Sequence, residues 1–248
     1  MSSKTLTFYT SLSSATKRLR SPIQIVLTLS LDPLKPVVRR NTEEPHAEKT
    51  AESQLPIAWQ VLQFDLPSSS QNLSVDYGEA FAAMEVESTI NGVYQPGSSY
   101  SSNVETGKLV KYTGSVWSGD TLYTPGPPLG HFTIQNDAAR PVEMVLGSYS
   151  PGEQDAQQPY IPVVFLGPLS SGCEFHCTKP VYLQAYTTVN HRRGQRLARS
   201  VVEEMFLFKD STGKPKAKLL TDIKRKCAFQ VYSNYNGEIA LEMTVNQD

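Results

Sequence analysis

Two of the chain's three cysteines, one of its four histidines and a carboxylate fall within ten residues, SGCEFHCTKP, at 171–180. Thiolate, imidazole and carboxylate are the donor types of a zinc site, and imidazole with carboxylate is also an acid–base pair. Spacing separates these from an ordinary strand. Residues four apart on a strand share a face but stand about 13 Å apart at roughly 3.3 Å per residue. A shared zinc needs each sulfur about 2.3 Å from one ion, and a disulfide needs Cα atoms within about 7 Å. The flanks FLGPLSSG and TKPVYLQAY read as turn and strand. The segment is therefore expected to be extended, with Cys173, Phe175 and Cys177 facing the core and Glu174 and His176 facing out. No metal ligand set and no cofactor are assigned.

Glu174 and His176 are two residues apart, about 7 Å along one face, close enough for a carboxylate to orient an imidazole. His131 in PLGHFTIQN and His191 in VNHRRGQ adjoin expected turns, where catalytic groups often sit. These four residues, His131, Glu174, His176 and His191, are the catalytic candidates of an enzyme reading. His46 lies in a charged stretch and reads as solvated. The chain has no G-x-S-x-G elbow, phosphate loop, H-E-x-x-H or dinucleotide glycine fingerprint.

A second group is aromatic. Tyr94 and Tyr100 lie in VYQPGSSYSS, Trp117 and Tyr123 in SVWSGDTLYTPGPP, Tyr149 and Tyr160 on either side of SPGEQDAQQP, and Tyr232 and Tyr235 near a final turn. Large rings in polar, turn-rich stretches cost free energy in water unless they are packed or bind something. Tyr and Trp, with an apolar body and a polar tip, suit sugar faces and lipid headgroups. Tyr100, Trp117 and Tyr123, with Arg192 from HRRGQRLAR, are the ligand-binding candidates; guanidinium groups around a glycine turn can clamp a carboxylate or phosphate. The competing reading is that these rings simply close the ends of the fold. The basic stretch lacks interleaved aromatics, so nucleic acid is not an expected partner.

The elements that must position these residues are strands. Only 39% of the 248 residues are apolar, and Gly, Pro, Ser and Thr punctuate the chain throughout. IQIVLTLSL places Ile23, Ile25, Leu27, Leu29 and Leu31 on one face, and IAWQVLQF does the same for Ile57, Trp59, Val61 and Gln63. CAFQVYS, Asn236-Gly237 and EIALEMTV form a hairpin, the Asn-Gly pair supplying the positive φ angles of a tight turn. GQRLARSVVEEMFLF is read as strand over 201–208, with a helical turn before it as an option, because its basic start and later glutamates oppose a helix dipole. About a dozen strands suggest an all-β, mostly antiparallel two-sheet sandwich of jelly-roll type, one domain over 1–248. The charged, proline-bearing stretch near 32–56 reads as a mobile loop or linker, with a short strand near 36–39 as its one structured option.

Net charge is −1, but it is segregated: +6 over residues 1–40, −12 over 41–175, +8 over 176–226 and −3 beyond. Pairing between basic ends and acidic middle is expected. No apolar run approaches the roughly 18–20 residues of a membrane helix. The Ser-, Thr- and Lys/Arg-rich first 21 residues read as a first strand, TLTFYT, and a basic turn rather than a leader. Three cysteines, an odd number, suit a reducing compartment. These features favour a soluble, cytoplasmic β-sandwich that binds a carbohydrate-like or lipid-headgroup ligand. The second reading is an enzyme on the same scaffold, and the third a self-assembling, homo-oligomeric jelly-roll subunit whose basic amino-terminal segment meets nucleic acid.

Overall fold

The computed structural model describes residues 3–12, 17–32, 38–40, 55–65, 70–122, 130–149, 160–210 and 212–248. His46, Tyr123 and most of the 32–56 stretch lie outside them. The first strands are β1 Ser3–Tyr9, β2 Ile23–Ser30, β3 Val38–Arg40, β4 Ala58–Phe64, β5 Asn72–Gly78 and β6 Phe81–Ile90. Then come β7 Val93–Tyr100, β8 Lys108–Tyr112, β9 Trp117–Leu122, β10 Phe132–Asn136, β11 Val142–Tyr149 and β12 Tyr160–Leu169. The last are β13 Glu174–Cys177, β14 Tyr182–Thr188, β15 Lys218–Leu219, β16 Lys226–Ser233 and β17 Ile239–Gln247, with helix α1 at Arg199–Glu204. Among the described residues the fold is all-β apart from this helix and a short 3₁₀ turn at Leu220–Asp222. Among the described residues, no helix is long and apolar enough to cross a membrane.

Where the sequence suggests two packed sheets, hydrogen bonding groups the strands into four, ordered β17-β16-β1-β5, β3-β13-β10-β8-β9, β12-β11-β6-β7 and β15-β14-β2-β4. Pairing is antiparallel except between β1 and β16 and between β8 and β10. One buried cluster draws from all four sheets, with Leu6, Phe8 and Phe229 from the first, Ile134 and Phe175 from the second, Phe81 and Met144 from the third, and Leu27 and Trp59 from the fourth.

Three local expectations change. In β4 the alternation breaks: Leu27 pairs with Gln60 but Thr28 with Ala58, so Trp59 is the extra residue of a bulge. A bulge shifts the pleat by one position, so Leu62 and Phe64 join Trp59 in the main core while Val61 packs on the other side. The carboxy-terminal hairpin has Ser233 opposite Ile239, and of the Asn-Gly pair only Gly237 takes a positive φ, +83°. The connection is organised instead by the Asn234 side chain, whose Oδ1 accepts the N–H groups of Asn236 and Glu238 at 3.0 and 2.9 Å. Residues 199–204 are helical, not extended. Helix α1 has no side-chain cap, so packing holds it: Val201 and Val202 rest on Val26, Ala58, Tyr186 and Leu197 over the outer face of β2, β4 and β14. Tertiary burial of a short amphipathic turn outweighs an unfavourable dipole pattern.

Charge pairing is more local than expected. Lys111 pairs with Asp137, Arg140 with Glu85, Arg199 with Glu203 and Lys224 with Asp248, while Lys17 reaches Glu242 of the final hairpin.

Candidate functional site

The cysteine segment is extended, as β13. Cys173, Phe175 and Cys177 are buried in the main core. His176 does not face out: it is fully buried, which corrects the expected exposed pair. The reason is that a sheet has two faces and both can be covered. The edge of β13 is also occupied, since β3, from the charged stretch, pairs with it, Val38 opposite His176 and Arg40 opposite Glu174.

On this second face Thr133 of β10 sits opposite His176, with Oγ1 2.9 Å from Nδ1. Nε2 of His176 lies 3.7 Å from a Glu174 carboxylate oxygen, outside hydrogen-bond reach. Carrying the register one residue further sets His131 opposite Thr178, so two of the three candidate histidines outside the charged stretch share one face, roughly 7–8 Å apart on the diagonal. His131 and Thr178 are buried as well. Hydroxyl, imidazole and carboxylate are in the order of an activated nucleophile, but Thr133 and His176 are both inaccessible, so no substrate reaches the hydroxyl unless this face opens. His191 lies elsewhere, in the turn after β14, where Gln24 clamps its backbone: N–H to Gln24 Oε1 at 2.8 Å and Gln24 Nε2 to its carbonyl at 3.2 Å. Its Nδ1 is 2.5 Å from Thr188 Oγ1.

All three cysteines are free and buried. Burial pushes the Cys177 thiol far up, and that of Cys227 up to about 11 against a smaller opposing pull from Lys218. A thiolate is the reactive form. A thiol reagent at neutral pH is therefore expected to leave the native chain unlabelled and to titrate three cysteines once denaturant is added; fast labelling of Cys177 in the native state would contradict its burial.

The aromatic group divides. Tyr94 and Tyr100 lie on β7, Trp117 on β9 and Tyr232 on β16, so these are strand rather than loop residues. Polar, glycine-bearing sequence concealed β7 and β9, because their alternation is weak. Trp117 is half-buried, packs on the main core and lies 5.0 Å from the Tyr112 ring. Its ring partner is Tyr112 rather than Tyr100. Tyr100 instead meets Tyr160 at 4.9 Å between ring centroids, and Tyr160 meets Tyr149 at 5.6 Å. Tyr149 and Tyr160 pair across β11 and β12, and Tyr100 is the partner of Met84 on β6. The trio thus occupies the outer face of the β12-β11-β6-β7 sheet, with Tyr100 and Tyr149 still 40% and 38% exposed. Gly147 lies beside it, where a Cβ would collide with Met84 and come within 3.0 Å of Tyr160 Cβ. A side chain there would make Met84 swing away and Tyr160 give by a few tenths of an ångström. Burial and the neighbouring Tyr100 and Tyr149 raise the Tyr160 phenol, which stays protonated at neutral pH.

The rest of this outer face carries a small second core of Ile57, Met84, Val86, Tyr94 and Val145, with Tyr160 and Phe165 against it. The HRRGQR turn rests on it. Tyr94 N–H donates to Gly194 O at 3.1 Å, Ala58 N–H to Gln195 O at 2.8 Å, and a Cβ on Gly194 would stand 4.0 Å from Pro162 Cδ. Gly194 has a φ of +73°, which favours glycine at the apex. Burial raises the Tyr94 phenol against a smaller opposing pull from Arg196, and Arg192 is exposed. Pro162 is two residues from Tyr160, so turn and trio are neighbours, roughly 7 Å apart along β12.

A further polar group had no signal in the sequence. Glu85 on β6 is buried and accepts hydrogen bonds from the Tyr112 hydroxyl of β8 and from Arg140. It joins two sheets through residues 27 and 55 positions apart, a separation that no motif encodes.

Comparison with family models, curated proteins and solved structures finds no match to this chain.

Proposed function

We propose that this chain is a binding protein rather than an enzyme, a single β-sandwich domain whose ligand is carbohydrate-like or a lipid headgroup. The supporting observation is the contact cluster of Tyr100, Tyr149 and Tyr160 on a partly exposed sheet face, next to a turn carrying Arg192. Partly exposed phenols offer apolar faces and hydrogen-bonding tips together, and the guanidinium supplies a partner for an anionic group. Within this reading the ligand residues are Tyr100 and Arg192, joined by Tyr149 and Tyr160. Trp117 stands apart from them in the Tyr112 stack. The free, buried thiols suit a reducing, cytoplasmic compartment.

The test is a glycan array together with phospholipid vesicles, run on the full chain. Tyr160→Ala is expected to weaken whatever binds by about tenfold, the scale of about 1–2 kcal/mol for one aromatic contact. Unchanged binding in Tyr160→Ala and Tyr100→Ala would remove the basis for this face. The enzyme reading has one observation in its favour, the Thr133–His176–Glu174 line. It predicts covalent labelling of Thr133 by an acylating or phosphonylating probe, and binding without such labelling decides for the binding protein.

A further inference from the structure

We infer that the ligand of the tyrosine face is a phosphocholine group, its quaternary ammonium on the tyrosines and its phosphate on the adjoining turn. This rests on the binding reading above and makes it specific.

Ring geometry is the first argument. Tyr100 is inclined 55° and Tyr149 61° to Tyr160. A pyranose stacks on one flat platform, and three rings at these angles do not provide one. A tetraalkylammonium head is round and is drawn to the negative π face of any ring within about 6 Å of its centroid. It can use several inclined rings at once. Burial raises the Tyr160 phenol above its ordinary 10.0, so at this ring the attraction is to the quadrupole rather than to a phenolate.

Charge order is the second argument. A simple cation would be disfavoured beside HRRGQR, whose Arg192, Arg193 and Arg196 surround Gly194. A zwitterion with an anionic group close to its ammonium turns that repulsion into recognition, since a guanidinium matches phosphate geometry bidentately. The turn meets β12 at Pro162 and the trio begins at Tyr160. Two strand residues span roughly 7 Å, a distance a flexible arginine bridges. The backbone of the turn is fixed by its bonds to β4 and β7, so the base of the Arg192 side chain has a set position from which the guanidinium can reach.

The experiment measures binding of the full chain to soluble phosphocholine by calorimetry, and to vesicles of phosphatidylcholine, phosphatidylethanolamine and phosphatidylglycerol by co-sedimentation. Phosphatidylcholine is expected to exceed the other two by about tenfold. Tyr160→Phe should retain binding, because the ring quadrupole remains, whereas Tyr160→Leu should lose about tenfold. Arg192→Ala should weaken phosphocholine but not choline itself, a simple cation that the arginine repels. If Tyr160→Leu does not fold, Tyr100→Leu at the more exposed ring carries the same comparison. Saturable binding of soluble phosphocholine supports the inference with the free group as a sufficient ligand. Phosphatidylcholine binding without it supports the inference with the membrane lipid as the source. Equal binding of all three vesicles, or of a glycan alone, overturns phosphocholine and leaves the binding reading intact. Absence of binding to every glycan and lipid overturns both.

Discussion

Phe229→Ala is expected to lower stability by about 3–5 kcal/mol, read as a fall in the urea midpoint with the slope of the transition unchanged. Phe229 is fully buried on β16, and its ring stacks on Phe8 of β1 at 5.1 Å and 16° and meets Phe208 at 5.4 Å. Phe8 and Phe229 are also ladder partners in the parallel β1–β16 pair. One ring thus ties the first strand of the chain to one of its last, and truncation leaves a cavity that neither sheet partner can fill. Domains have only about 5–15 kcal/mol in total, so the loss is a large share. The control is Met243→Ala, directly opposite Phe229 on the edge strand β17 but 41% exposed; it should stay within about 0.5 kcal/mol. Equal, small effects at both positions would mean that β1 is not held against β16.

The second large effect is expected at Glu85. Glu85→Ala removes the acceptor for the buried Tyr112 hydroxyl, and an orphaned buried donor costs roughly 1–3 kcal/mol. The Arg140 end adds little, since its side chain is 62% exposed and solvent replaces the contact. A total of about 1–3 kcal/mol follows, and Glu85→Gln, which keeps an acceptor, should cost less. Alkaline titration supplies an independent reading. Burial first, and then the hydrogen bond to and charge of Glu85, push the Tyr112 phenol up from 10.0 to about 12. The folded state therefore favours the protonated phenol, so its stabilising contribution is whole below pH 10.0 and is lost as pH rises through about 12. Both Glu85 variants should move the tyrosinate absorbance of Tyr112 to lower pH. An unmoved titration would show that Glu85 does not hold this phenol.

Much of the framework was legible because alternation at period two is local. TLTFYT, IQIVLTLSL, CAFQVYS and EIALEMTV each form the strand their pattern announces, and the extended backbone at Glu174–Cys177 followed from its flanks alone. Alternation fails where a bulge intervenes, as at Trp59, and where a strand is polar, as in β7 and β9. It also fails for α1, whose helix is held by what it covers. Tyr100 was singled out among several aromatics, but its neighbours Tyr149 and Tyr160, 49 and 60 residues further along, were marked only as aromatics flanking a polar loop.

By itself, the sequence determined that this is a β protein, where most of its strands run and that its cysteine pair is held apart. These depend on backbone geometry and on the identities of residues a few positions away. Only the tertiary structure decided that His176 is buried, that Glu85 latches two sheets, and that three tyrosines and a basic turn share one outer face. The physical reason is that periodicity states which residues share a side of a strand, whereas burial, charge pairing and ring contact depend on what other strand arrives to cover that side.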